Sequence, residues 1–133
     1  AVINTIMGMA IDPSTRTPII GNVQGGLSGP AIKPIALFDV YQVAQYARRL
    51  SVPIIGQGGI VTSEDAVEFL AAGATTIGIG TALFYDPFAV RRINEDLLNY
   101  LDAHELPDLN ALIGSALPPA PKPSPKPSQR AVS

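Results

Sequence analysis

The stretch "PIIGQGGI" (53–60) constrains the fold most. An apolar run that reads as a buried strand, "VPIIG" (52–56), leads into three glycines within four positions, Gly56, Gly58 and Gly59. Glycine weakens a strand and loses the most backbone freedom on folding. Its repetition at a strand end means that something approaches this backbone too closely for a side chain. The next unit repeats the pattern: "TTIGIG" (75–80) reads as a strand carrying Gly78 and Gly80 at its end. In parallel α/β units the carboxyl end of each strand faces the ligand side. One anion touching both ends is the economical explanation. Backbone N–H groups of Gly58, Gly59, Gly80 and Thr81 converge on a phosphate in this reading, aided by helix N-terminal dipoles. The plainer alternative is tight turns and close helix–sheet contacts.

The flanking segments supply the alternation. "AVINTI" (1–6) is rich in β-branched residues and reads as a buried strand. "MGMAIDPSTRTPIIGN" (7–22) reads as a hairpin turning at Asp12-Pro13-Ser14, and "VQGGLSGP" (23–30) as a glycine-rich loop. Pro30 and Pro34 suit a helix start, and the helix runs over 35–50 with Ile35, Phe38, Tyr41 and Ala44 at helical spacing. Thr62 with Asp65 three residues on predicts a capped helix over 62–74 that stops at Gly73. Asp86-Pro87 opens a third helix over 88–104, with Ile93, Leu97 and Leu101 on one face, and 107–114 reads as a short final helix. The tail "PPAPKPSPKPS" (118–128) has proline at alternate positions and is expected to be extended and disordered.

Strand and helix in alternation predict βαβ units on a parallel sheet. Two closed architectures satisfy this, a doubly wound sheet and an eight-stranded barrel. "GIGTAL" has Leu83 where a dinucleotide fingerprint needs its third glycine, which disfavours the first. The barrel places its common phosphate site after its last two strands, and here the two glycine turns close the series. The expected fold is therefore the C-terminal part of a (β/α)8 barrel over 1–117, about three βα units plus a hairpin, followed by the tail at 118–133.

Composition limits the chemistry. The chain has 133 residues, 47% of them hydrophobic and 15% charged, which predicts a globular chain. The formal net charge is −2, which makes no electrostatic case for nucleic acid. Three of the nine basic residues and none of the eleven acids lie in 118–133, so the rest carries −5. With no cysteine and a single histidine, His104, neither a thiolate site nor a His-rich metal site is available. No run is long enough to span a membrane, so a cytoplasmic protein is the default expectation.

Two further stretches sharpen the reading. "NTIMGM" (4–9) puts a polar pair, Asn4 and Thr5, at the end of an apolar strand, where an amide can pair with a planar heterocycle. "GGLSGPAIKP" (25–34) feeds a helix on the same face. With "PIIGQGGI" and "GIGTALF", in this order and spacing, these motifs closely resemble the C-terminal part of the dihydroorotate dehydrogenase catalytic subunit, over roughly residues 1–114. The resemblance is nearest to the NAD-linked type B form.

That resemblance implies oxidation of dihydroorotate to orotate in pyrimidine biosynthesis, with FMN as hydride acceptor. It implies that Asn4 and Thr5 bind the pyrimidine and that Ile3 contacts the flavin through its backbone. Gly29 would lie near the phosphate and ribityl chain, Gly58 and Gly59 would form the first phosphate turn, and Gly80 and Thr81 the second. It further implies a homodimer and an electron-transfer partner subunit carrying FAD and an iron–sulfur cluster. The family's catalytic base, a cysteine in the type B form, has no match here. The expectation is accordingly a fragment that binds cofactor and holds no catalytic residue, with Lys33 at the surface. Two alternatives stay open: another FMN barrel such as a dihydropyrimidine dehydrogenase domain or a dihydrouridine synthase, and a non-catalytic phosphate-binding module.

Overall fold

In the computed structural model, which describes residues 1–119, the elements run in the order β1 (Ile6–Gly8), β2 (Ile11–Asp12), β3 (Thr17–Pro18), β4 (Gly25–Leu27), α1 (Lys33–Ala47), β5 (Ile55–Gln57), α2 (Ser63–Ala71), β6 (Thr76–Gly78) and α3 (Ala89–Ala103). Short 3-10 turns occupy Pro30–Ile32, Thr81–Phe84 and Leu109–Ala111.

The glycine-ended strands are the parallel pair. β5 and β6 lie side by side with Ile55 opposite Thr76 and Gln57 opposite Gly78, and α2 makes the crossover between them. Thr62 and Asp65 form the anticipated capping box at its start. Gly73 ends it with φ +109°, a left-handed conformation that glycine adopts without strain. Past β6, α3 buries Ile93, Leu97 and Leu101 as its spacing predicts. Together with Val40 of α1 and Phe69 of α2, they form one apolar core.

The amino-terminal part departs from expectation. Residues 1–5 form no strand, so the parallel sheet has two described strands rather than three. β1 instead pairs antiparallel with β4, inside the segment read as a loop. The chain still passes close to β5, but a side chain makes the link: Gln57 Nε2 donates to the Ile3 carbonyl at 3.0 Å. The hairpin forms as expected, with β2 against β3.

Helix α1 begins earlier and turns another face inward. It buries Ala36, Val40, Ala44 and Ala47, while Ile35 and Phe38 are exposed. The reason is proximity. A Cβ added at Gly58 would lie 2.6 Å from the Ala36 Cβ, and one at Gly73 would lie 2.5 Å from that of Ala44. Backbone this close admits only the alanine face. Two boundaries also shift. α3 starts at Ala89 rather than 88, because the Asp86 carboxylate takes the Phe88 N–H at 2.9 Å. The final helix reduces to the turn Leu109–Ala111, and the following residues cap α2 instead, with the N–H groups of Gly114 and Ala116 donating to Leu70 and Ala71. The Pro118 carbonyl accepts a hydrogen bond from Arg48 at 2.8 Å; the expected disorder of the tail concerns residues that, from 120 onward, lie outside the described ones.

Candidate functional site

The ends of β5 and β6, the corner before α1 and the first residues of the chain enclose one cleft of about 250 Å³. The eight residues expected to bind substrate or cofactor all line it. Ile3, Asn4 and Thr5 come from the first segment and Gly29 from the corner. Gly58 and Gly59 follow β5, and Gly80 and Thr81 follow β6. The volume falls below the roughly 300–1,000 Å³ of drug-sized pockets. It suits one end of an extended ligand, such as a phosphoryl group and its tether.

The glycines are there for two different reasons. Gly58 and Gly59 have φ of +121° and +78°, where a side chain is strained. Their missing Cβ atoms would also strike the protein itself, at Ala36 for Gly58 and at 2.7 Å from the Gly29 carbonyl oxygen for Gly59. Gly56 belongs with them, since its Cβ would meet Ala74 and Phe69 within 3 Å. Close packing therefore accounts for these three, which corrects the expectation that a bound anion alone excludes their side chains. Gly80 is the opposite case: its Cβ would meet nothing within 4 Å.

The two turns share one property. Among the described residues, the N–H groups of Gly59, Gly80 and Thr81 donate to no protein acceptor, while that of Gly58 lies at the end of the β5–β6 ladder, just past the Gln57–Gly78 pair. Backbone donors are strong polar groups that seek a partner, and three unpartnered ones border one cleft. No ionisable side chain joins them in its lining. This arrangement can hold and orient an anion, and it offers no group for proton transfer. The donors and the open face of Gly80 fit a phosphate.

Side-chain bonds hold the walls together. Thr81 Oγ1 donates to Ser28 Oγ at 2.9 Å, joining the second turn to the corner before α1. Thr5 packs over Gly26 of β4, in space that a side chain there would fill. The Asn4 Oδ1 takes the Thr5 N–H at 2.7 Å. Gln57 and Ser28 line the cleft and were not anticipated. The signal for Gln57 was present, as the one polar side chain inside "PIIGQGGI". Ser28 carried no such mark, because its partner Thr81 lies far along the chain.

Behind the first turn sits an ionic cluster. Lys33 Nζ lies 2.6 Å from Asp65 Oδ1 and 3.0 Å from Glu68 Oε2, so Lys33 is paired and only partly exposed. Burial raises the Asp65 carboxyl, but the Lys33 ammonium and the Val61 and Thr62 N–H groups outweigh it, and the net shift is downward. The hydrogen bonds to Asp65 and Glu68 raise Lys33 in turn. Among the described residues there is no cluster of His, Cys, Asp and Glu fit for a metal ion, and no helix long and apolar enough to cross a membrane.

Comparison with known proteins bears directly on this site. Residues 1–101 match the family model for dihydroorotate dehydrogenase. The catalytic subunit of dihydroorotate dehydrogenase B (NAD(+)) from Alkaliphilus oremlandii is 52% identical over 114 residues, covering 86% of this chain and 37% of that protein. The corresponding subunit from Geotalea uraniireducens is 51% identical over 117 residues, covering 88% and 37%. The chain thus spans little more than a third of the length of these relatives. Among solved structures, ligand-free dihydroorotate dehydrogenase from Eimeria tenella superposes with a TM-score of 0.70 at 30% identity, covering 89% of this chain and 32% of that one. The same enzyme in complex with ferulenol gives 0.69 at 29%, covering 86% and 30%. A glycine-lined cleft at the ends of two parallel strands and a family match over most of its length agree: this chain belongs to the dihydroorotate dehydrogenase family.

Proposed function

We propose that this chain forms the phosphate-binding end of an FMN site in a (β/α)8-barrel enzyme that oxidises dihydroorotate to orotate. The observation that carries this reading is the three N–H donors of Gly59, Gly80 and Thr81, which border one cleft and have no acceptor among the described residues. Their role is to bind the FMN phosphate, with Gly29 beside its tether. Ile3 contacts the flavin through its backbone, and the Gln57 bond to the Ile3 carbonyl holds that segment in place. Asn4 and Thr5 orient the pyrimidine, Asn4 through a carboxamide nitrogen that has no partner among the described residues. When bound, FMN supplies the hydride-accepting ring. Proton removal from the substrate falls to residues outside this cleft, whose lining holds no ionisable side chain. The homodimer, the partner subunit with FAD and an iron–sulfur cluster, and the cytoplasmic location belong to the same reading, by likeness to the NAD-linked relatives.

The test places the full chain in the Alkaliphilus oremlandii catalytic subunit, in place of the segment it matches. This chimaera is expected to purify with FMN bound and to oxidise dihydroorotate. Gly80→Val within it projects a branched side chain into space that the protein leaves open. It should lose most of its FMN while remaining folded by circular dichroism. A Gly80→Val chimaera with a full complement of FMN overturns the assignment of this turn.

A further inference from the structure

The two walls that meet at Gly59 are tied by one carboxylate. The Gly59 turn packs directly on the corner before α1, where a Cβ would lie 2.7 Å from the Gly29 oxygen and 3.0 Å from the Lys33 backbone nitrogen. Asp65 holds both sides of that contact. Its Oδ2 accepts the N–H groups of Val61 and Thr62, at 2.9 and 3.0 Å, just past the turn. Its Oδ1 accepts Lys33 Nζ at 2.6 Å, from the first residue of the helix that the corner feeds. Among the described residues, Asp65 is the one buried polar or charged side chain, at 8% exposure. Lys33 does not line the cleft. Whatever it does for a ligand, it does through the backbone it holds.

We propose that Lys33 and Asp65 are positioning residues for phosphate recognition, a clamp that fixes the Gly58–Gly59 donors against the Gly29 corner. This rests on the phosphate-site reading above. A capping box requires only Thr62 and Asp65, so the capping role leaves the ammonium unexplained. Bridging α1 to the turn requires it. Geometric tolerance explains why such a clamp matters. A hydrogen bond to an anion weakens steeply once its angle or distance drifts, and the donors sit on a glycine turn that has no side chains of its own to hold it, so its position depends on what packs against it. Glu68 is the outer arm, 44% exposed at its side chain, and contributes little through solvent.

The experiment compares FMN with riboflavin, which lacks the phosphate, by fluorescence titration of the chimaera carrying the full chain. Lys33→Met is expected to weaken FMN binding about tenfold or more, the scale of losing a hydrogen bond to a charged group. Riboflavin binding should change by less than about threefold, since it lacks the phosphate that the donors of the first turn hold. Lys33→Arg, which keeps a cation able to reach Asp65, should restore most of the FMN affinity, and Glu68→Gln should leave it near the parental value. If Lys33→Met does not fold, Asp65→Asn tests the same clamp, as a near-isosteric change that removes the charge facing Lys33. Equal losses for FMN and riboflavin, or an unchanged FMN affinity, overturn the clamp. A parent chimaera that binds FMN no better than riboflavin overturns the phosphate-site reading itself, a separate outcome.

Discussion

The turns after β5 and β6 look alike in sequence and behave as opposites in space. Gly58 and Gly59 adopt left-handed backbone and are pressed against Ala36, the Gly29 carbonyl and Lys33. Gly80 has φ −120° and open space where its side chain would be. The first turn is glycine because the fold needs it, and the second has open space at a residue that lines the cleft. Both nevertheless bring unpaired N–H groups to the same place. A glycine at a strand end therefore has no single meaning: at the first turn the protein's own helix and corner press on it, and at the second nothing in the protein does.

The strongest way to break this contrast is Gly59→Val. Left-handed backbone and contact with the Gly29 oxygen act together, and the loss of stability should reach about 3 kcal/mol or more by denaturant unfolding. A variant within about 0.5 kcal/mol of the parent, the range of ordinary surface changes, would show that the first turn is not packing-limited. Acid gives a smaller, local effect. The Asp65 carboxyl is held below its ordinary 3.8, so its contribution is present above that value and is lost as pH falls through the lower folded one. The Val61 and Thr62 amide resonances should titrate with a midpoint below 3.8, while those of Gly80 and Thr81 stay flat. A shared transition in both turns would mean that they move as one unit. The smallest effect sharpens the contrast from the other side. Gly80→Ala should change stability by no more than about 0.5 kcal/mol, because the added methyl group meets nothing.

Much of this was legible in the chain. The capping box at Thr62 and Asp65, the stop at Gly73 and the buried stripe of α3 follow from short-range chemistry, and each appears where the spacing puts it. Asn4, Thr5 and the paired glycines of the cleft were legible too, because a polar pair in an apolar run and repeated glycines break the rules for a buried strand, whereas Ile3 and Gly29 came from the family resemblance alone. The failures lie where neighbours decide. Ile35 and Phe38 satisfy helical periodicity as well as Ala36 and Val40 do, and hydrophobicity favours the larger pair. The choice went to alanine because Gly58 and Gly73 bring backbone within reach of α1. Residues 1–5 have the composition of a strand, yet no ladder forms, and Gln57 supplies a side-chain bond instead.

The sequence by itself determined the cap and stop of α2, the buried stripe of α3, and which strand ends lack side chains. These depend on residues a few positions apart, through capping, φ preference and periodicity. Only the tertiary structure decided what each glycine faces, that Ser28 meets Thr81, and that Asp65 ties Lys33 to the turn after β5. Those outcomes pair residues 53, 32 and 4 positions apart in the chain. The two distant pairs are set by the way α1 and α2 pack beside the parallel strands. Chain order carries no record of that distance until the core has formed.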